Sequence, residues 1–270
     1  MNTKKIRLGL VGKDVSKSLS RQMHTFILNA WGIECEYESF SIPQEEFDGV
    51  ARKLLGDFDG FNITIPYKRD IMGYLNEIVG DAFDFGAVNT VISQTGVGYN
   101  TDGVGFLLML RAAGIEVKNK KVLVLGGGGS GRSSAAALKK AGAKVSVYQR
   151  SKDKLNELCK ELGVQAAQEP EEGGYDILIN CTGVGMHDSE GRSPVTKKAF
   201  AGALWAVDLI YEPKQSAFLQ LAKGEGLHTL NGEAMLFYQA YFADCIYLNK
   251  TPLDEEAKKL YENYKKEERL

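Results

Sequence analysis

The 270-residue chain has little of what marks metal-binding, secreted, membrane or nucleic-acid-binding proteins. Its four cysteines, Cys35, Cys159, Cys181 and Cys245, form no CxxC pair, and with only His24, His187 and His228 beside them no metal spacing emerges. Four reduced thiols in a cytoplasmic protein are the expectation. The formal net charge is −2, which leaves no basic stripe for nucleic acid and no polybasic membrane patch. No apolar run nears the ~18 residues of a membrane span. The apolar stretch in "MNTKKIRLGLVG" is too short for a secretory signal and ends in no small-residue cleavage site. Internal repeats and low-complexity linkers are also missing. What is there is an ordinary globular composition, 44% apolar and 25% charged, long enough for one large domain or two smaller ones. Small molecules are the expected partners.

Strand-like apolar runs alternate with helix-length amphipathic segments. "IRLGLVG" precedes a helix through "RQMHTFILNAWG", and "EYESFSI" precedes "PQEEFDGVARKLLG", where Pro43 suits a first helical position. In "FNITIPYKRD", Phe61, Ile63 and Ile65 alternate with Asn62 and Thr64 as in a half-buried strand, which Pro66 should stop. "AVNTVISQTGVGYNTDG" reads as two short strands around a turn at Thr95 and Gly96, followed by a helix ending at Gly114. From Lys121 a second alternating series begins, with continuous Val/Leu/Ile strands that argue a parallel sheet covered on both faces. The segment from Gly232 is helical, and its charge-rich end reads as a solvated helix face. The fold class is α/β.

Two stretches carry chemistry. In "VLVLGGGGSGR", Gly126, Gly128 and Gly131 fit G-x-G-x-x-G between a buried strand and an alanine-rich helix, the setting of a dinucleotide fingerprint. Gly126 permits the tight turn, Gly128 lets backbone approach a pyrophosphate, and the helix start supplies N–H donors. The next strand, "VSVYQRS", ends on Gln149 and Arg150 with no acid at its tip. An NAD-selecting carboxylate would stand there, whereas Arg150 and the Ser151 hydroxyl suit a 2′-phosphate, unless Arg150 merely faces solvent. The other stretch places Lys68 just past a rigid strand end. Taken alone it is also compatible with a solvated lysine opening the next helix.

Together with these, "SLSRQMH", "NITIPYK", "AVNT", "NTDGVG", "INCTGVGM" and "NGEAMLFYQA" occur in the order, and at about the spacing, of shikimate dehydrogenases, which the chain resembles over nearly its whole length. The resemblance implies two α/β domains, one Rossmann-like, a site in the cleft between them, and reversible NADP-linked reduction of 3-dehydroshikimate to shikimate. It implies Lys68 as the proton carrier at C3, where alkoxide charge develops, and Asp102 as its catalytic partner. Substrate contacts implied are Ser18, Ser20, Thr64, Asn89, Asp102, Tyr211 and Gln239. Each has a plainer alternative: helix caps for Ser18 and Ser20, a capped turn for Asp102, strand or turn structure for Thr64 and Asn89, core for Tyr211, helix surface for Gln239. Cofactor contacts implied are Gly126, Gly127, Gly128, Gly129, Ser130, Gln149, Arg150, Ser151, Lys154, Leu209 and Gly232. Residues 1–102 with 232–270 are expected to bind substrate and 103–231 to bind NADP, with no metal, and a homodimer is left open. Departures from the family pattern are Arg21 for a proline, Asp14 in place of "GxP", and Gln149 and Ser151 for Asn and Thr. Quinate/shikimate dehydrogenases share the motifs, and a non-catalytic NADP-binding regulatory relative is the alternative from another class.

Overall fold

The computed structural model describes residues 5–186 and 189–267; His187 lies outside them. The chain divides into two compact units, Met1–Gly105 with Leu236–Leu270, and Phe106–Met235.

In the first unit, β1 (Lys5–Gly12) leads through a loop to α1 (Ser20–Ala30), β2 (Glu34–Ser41), α2 (Phe47–Asp57) and β3 (Gly60–Ile63). Then follow β4 (Glu77–Ile78), α3 (Asp81–Phe85), β5 (Thr90–Ile92), β6 (Val97–Tyr99) and the first turn of α4 (Asp102–Ala112). The six strands lie in the order β2-β1-β3-β5-β6-β4. β1 is parallel to both β2 and β3, and antiparallel pairing begins between β3 and β5, where Asn62 stands opposite Thr90. The core on one side joins Leu54, Phe58, Phe61, Ile63 and Tyr67, and another cluster joins Leu8, Leu10, Leu28 and Tyr37.

Several local expectations are corrected here. β3 is buried throughout and ends at Ile63, before Pro66: Phe61 and Ile63 join a core cluster on one face, and on the other Asn62 is hydrogen-bonded to Tyr37, Asn89 and Thr90. Ile65, expected on the buried side, is 64% exposed. Pro43 precedes a 3₁₀ turn at Gln44–Glu46 rather than opening an α-helix. Asp102 is not a cap: the Asn100 side chain accepts from its backbone N–H at 3.0 Å, which leaves the Asp102 carboxylate for other partners.

The second unit contains β7 (Lys121–Leu125), α5 (Gly129–Lys140), β8 (Lys144–Tyr148), α6 (Lys152–Leu162), β9 (Gln165–Ala166), β10 (Ile177–Asn180), β11 (Trp205–Asp208), α7 (Ala217–Gly224) and β12 (His228–Asn231). All six strands are parallel, in the order β12-β11-β10-β7-β8-β9. This is the doubly wound order, whose direction reverses between β7 and β10; ligands of such sheets sit beyond the strand ends at that point. Val122, Leu123, Val124, Ile177, Leu178 and Ile179 are buried, as helices on both faces require. β9 and β12 had no clear sequence signal, being two and four residues long.

The chain returns to the first unit within α8 (Glu233–Tyr247) and ends in α9 (Asp254–Glu267). α9 is not solvated all round: Ala257, Leu260, Tyr261 and Tyr264 are buried at helical spacing.

Candidate active site

Lys68 follows β3 on a short loop with little freedom. Thr64 N–H donates to Val11 O at 2.9 Å, Tyr67 N–H to Thr64 O at 3.0 Å, and the Lys68 carbonyl accepts from Val88 N–H at 2.8 Å. The buried Tyr67 phenol anchors the loop from below by donating to Ile42 O at 2.6 Å. Lys68 Nζ then reaches Asp102 Oδ2 at 2.5 Å, with side chains only 13% and 9% exposed. An ion pair so little exposed to water is held far more firmly than a surface pair.

Asp102 is itself oriented. Its Oδ1 accepts from Asn89 Nδ2 at 2.9 Å, so one carboxylate oxygen serves the lysine and the other the amide. Asn89 is 2% exposed and further tied to Thr90 Oγ and the Thr101 backbone. Thr64 is half-buried, with its methyl group against Gly12, and no hydrogen bond of its hydroxyl occurs among the described residues.

Ser18 and Ser20 stand at the start of α1. The Ser18 hydroxyl lies 3.0 Å from that of Ser20 and accepts from Ser20 N–H at 3.2 Å. Asp14 closes the preceding loop by accepting from Ser16 N–H and hydroxyl at 3.1 and 2.7 Å, so this departure from the family pattern builds a turn of its own. Arg21 is exposed in the first turn, where a side chain needs no special backbone geometry. Gln239 lies on α8, half-buried, its Nε2 donating to Leu236 O at 2.9 Å. Gly105 brings it near Asp102: a Cβ on Gly105 would meet Gln239 N at 2.7 Å, so α4 and α8 touch backbone to backbone one turn beyond Asp102.

In the second unit the glycine turn has the shape its sequence suggested. Gly126 takes φ +100°, a conformation that disfavours any side chain. A Cβ on Gly131 would lie 2.0 Å from Gly126 O, so α5 starts in contact with the turn below it. Gly128 caps α5 in extended conformation, and Gly128 and Gly129 face open space, with Ser130 in the first turn. Backbone donors of a helix start are therefore presented at the switch point of the sheet, which suits a pyrophosphate. Gln149 packs against Gly127, whose Cβ would meet Oε1 at 2.3 Å.

Arg150, Ser151 and Lys154 are exposed at the end of β8 and the start of α6. Neither cation has an ion-pair partner among the described residues, and the Ser151 hydroxyl makes no capping bond. Leu209 and Gly232 meet across β11 and β12, where a Cβ on Gly232 would lie 2.2 Å from Leu209 O. Tyr211 is half-buried nearby in sequence, and burial raises its phenol pKa. Asp208, not foreseen from sequence, holds this loop: its buried carboxylate accepts from the Ser216 hydroxyl at 2.5 Å, Asn180 Nδ2 at 3.0 Å and Ile210 N–H at 3.0 Å. Its pKa is raised by burial, while those three bonds pull the other way.

Also unforeseen are the partners of Tyr37, Asn62, His24 and Asp244. Tyr37 Oη donates to Asn62 Oδ1 at 3.2 Å, and Asn62 Nδ2 donates to Asn89 O and Thr90 Oγ. Met23 and His24, the last two residues of the "SLSRQMH" motif, are both fully buried. Among the described residues no cluster of three metal-ligating side chains occurs.

Residues 10–91 match the family model of the shikimate dehydrogenase substrate binding domain, and residues 102–210 match that of the alanine dehydrogenase/PNT C-terminal domain. The chain is 37% identical over 243 residues to a shikimate dehydrogenase (NADP(+)) of Clostridium botulinum, covering 87% of this chain and 93% of that protein. It is 37% identical over 250 residues to the Carboxydothermus hydrogenoformans protein of the same name, covering 87% and 89%. Among solved structures it is similar to the Thermus thermophilus shikimate 5-dehydrogenase in complex with NADP(H) and shikimate, with TM-score 0.88, 34% identity and coverage of 96% of this chain and 99% of that one.

Proposed function

The chain belongs to the shikimate dehydrogenase family, and from that premise we propose that it catalyses the reversible NADP-linked reduction of 3-dehydroshikimate to shikimate. The observation that carries the reading is the Lys68–Asp102 pair at 2.5 Å, oriented by Asn89. A shielded ammonium fixed by an acid is what a carbonyl reduction needs and what a non-catalytic NADP-binding relative does not.

NADP(H) fits the second unit, Phe106–Met235, on the ground that Gly128 and Gly129 leave open space at the start of α5 and that exposed cations without an ion-pair partner among the described residues stand at the end of β8. Gly126, Gly127, Gly128, Gly129 and Ser130 would hold its pyrophosphate, Gln149, Arg150, Ser151 and Lys154 its 2′-phosphate, and Leu209 and Gly232 the far end. When bound, the cofactor supplies the hydride for the C3 ketone. Lys68 holds the C3 oxygen and gives it the ammonium proton as alkoxide charge grows, and in the oxidative direction the neutral amine takes that proton back. Asp102 keeps Nζ in place and accepts from a ring hydroxyl. Ser18 and Ser20 donate to the substrate carboxylate, and Thr64, Asn89, Gln239 and Tyr211 complete the set. The first unit is thus assigned to substrate and the second to NADP. A cytoplasmic site of action is supported by four unpaired thiols and by the absence, among the described residues, of a helix long and apolar enough to cross a membrane.

Initial rates with shikimate and with quinate at matched concentrations, each with NADP and NAD, test the assignment. Shikimate with NADP is expected to be the fastest pair. Turnover of quinate alone, or of neither acid, would defeat it.

A further inference from the structure

His24 and Asp244 are 220 residues apart in sequence and meet in the interior of the first unit, Nδ1 to Oδ1 at 2.6 Å, both side chains fully buried. Neither has a part in the chemistry above, yet each lies on a helix that carries a proposed substrate contact. His24 is four residues beyond Ser20 on α1 and so shares its face, and Asp244 is five residues beyond Gln239 on α8. The His24 ring stacks on Tyr37, with centroids 5.0 Å apart and planes 20° from parallel. The Tyr37 phenol is in hydrogen-bond reach of the Ser20 hydroxyl and donates to Asn62. Asn62 continues to Asn89, and Asn89 to Asp102 and so to Lys68. The pair therefore packs, through the stacked Tyr37 ring, against a hydrogen-bonded chain that leads to Ser20 in one direction and to the proton-transfer pair in the other.

Burying these two groups is costly. The Asp244 pKa is raised by burial, with the His24 interaction opposing, and His24 Nε2 and Asp244 Oδ2 have no protein partner among the described residues. Apolar side chains of similar volume would pack the same space without that cost, so stability alone does not account for the pair. What a directional bond adds over an apolar contact is a fixed rotation of one helix against another.

The geometry assigns His24 and Asp244 as positioning residues that lock α1 to α8, holding Ser18 and Ser20 in register with Gln239 for the two ends of the substrate. This rests on the shikimate dehydrogenase reading. If it holds, removing the bond weakens substrate binding without touching NADP or the proton transfer itself.

The test compares wild type, Asp244→Asn, which keeps an acceptor for Nδ1–H, and the double variant His24→Leu/Asp244→Ala, which is nearly volume-conserving and leaves no buried charge unpaired. Thermal unfolding of all three is measured first. The double variant is expected to fold with a Tm no lower than wild type, to raise KM for shikimate about tenfold and to lower kcat less than KM rises, with KM for NADP within about twofold. Asp244→Asn is expected to stay within about threefold of wild type in shikimate KM. An active wild type with a folded double variant of unchanged shikimate KM overturns the positioning role and leaves the enzyme assignment standing. Equal rises in both KM values, or a double variant that does not fold, also overturns it, since the pair would then be structural. A wild type that turns over no shikimate overturns the assignment and the role together.

Discussion

At Asp102 one carboxylate holds two different partners, Lys68 on Oδ2 and Asn89 on Oδ1, and this division of labour sets what substitutions there should do. Asp102→Asn keeps the shape but loses the charge that fixes the ammonium; kcat is expected to fall by about a hundredfold, within the span for a misplaced acid–base group. Steady-state kinetics would contradict the role if kcat stayed near normal. Arg150 is at the opposite extreme, exposed and without an ion-pair partner among the described residues. Arg150→Ala is expected to raise KM for NADP about tenfold and to leave NAD kinetics nearly unchanged, because a 2′-phosphate is remote from hydride transfer. Comparable losses with both cofactors would remove Arg150 from phosphate recognition. Lys68 and Asp102 were singled out through the family motifs, local pattern alone leaving a solvated lysine and a capped turn, whereas Arg150 was marked by the acid-free tip of its strand. Asn62 was not legible in the sequence. Alternation assigned it to the wet face of a half-buried strand, whereas β3 lies between two other strands with Tyr37, Asn89 and Thr90 satisfying its amide inside. The pairing of His24 with Asp244 gave no local signal, since it depends on the return of α8.

Among the elements, α5 is the one whose placement is most sharply determined by a single residue. Its start rests on Gly131, and a methyl group there would lie 2.0 Å from a backbone oxygen of the turn, which cannot yield as a flexible side chain would. Gly131→Ala is expected to cost about 1–3 kcal/mol by forcing α5 away from β7, with weakened NADP binding as the helix start shifts. Urea unfolding and calorimetric NADP titration check this, and a variant with wild-type midpoint and affinity would contradict it. The sheet of the second unit was readable because continuous apolar runs and glycine turns recur at the period of strand and helix. Two of its strands were missed, β9 and β12, which have too few residues to show a pattern and are defined by their neighbours' backbone. In α9 the solvated face was read and the buried stripe was not, for the opposite reason. Its lysines and glutamates dominate the composition, while Ala257, Leu260, Tyr261 and Tyr264 form a narrow buried stripe between them.

Across the whole molecule, burial keeps the thiols protonated. The pKa values of Cys35 and Cys181 are pushed up to about 12 and that of Cys245 to about 11, chiefly by burial, and that of Cys159 is raised for the same reason. The thiolate is the nucleophile, so at pH 8, well below those values, the native protein is expected to resist iodoacetamide and to take up four adducts only after denaturation. Mass spectrometry before and after denaturation reads this directly, and rapid labelling of the native chain would contradict it. The central claim is that the chain is a dehydrogenase whose proton moves through Lys68. It is tested most directly by NADP-dependent oxidation of shikimate measured side by side for wild type and Lys68→Ala. The expected result is steady NADPH formation by wild type and a variant whose kcat is lower by about a thousandfold while KM for shikimate changes only severalfold. A silent wild type, or a variant with near-normal kcat, would contradict it.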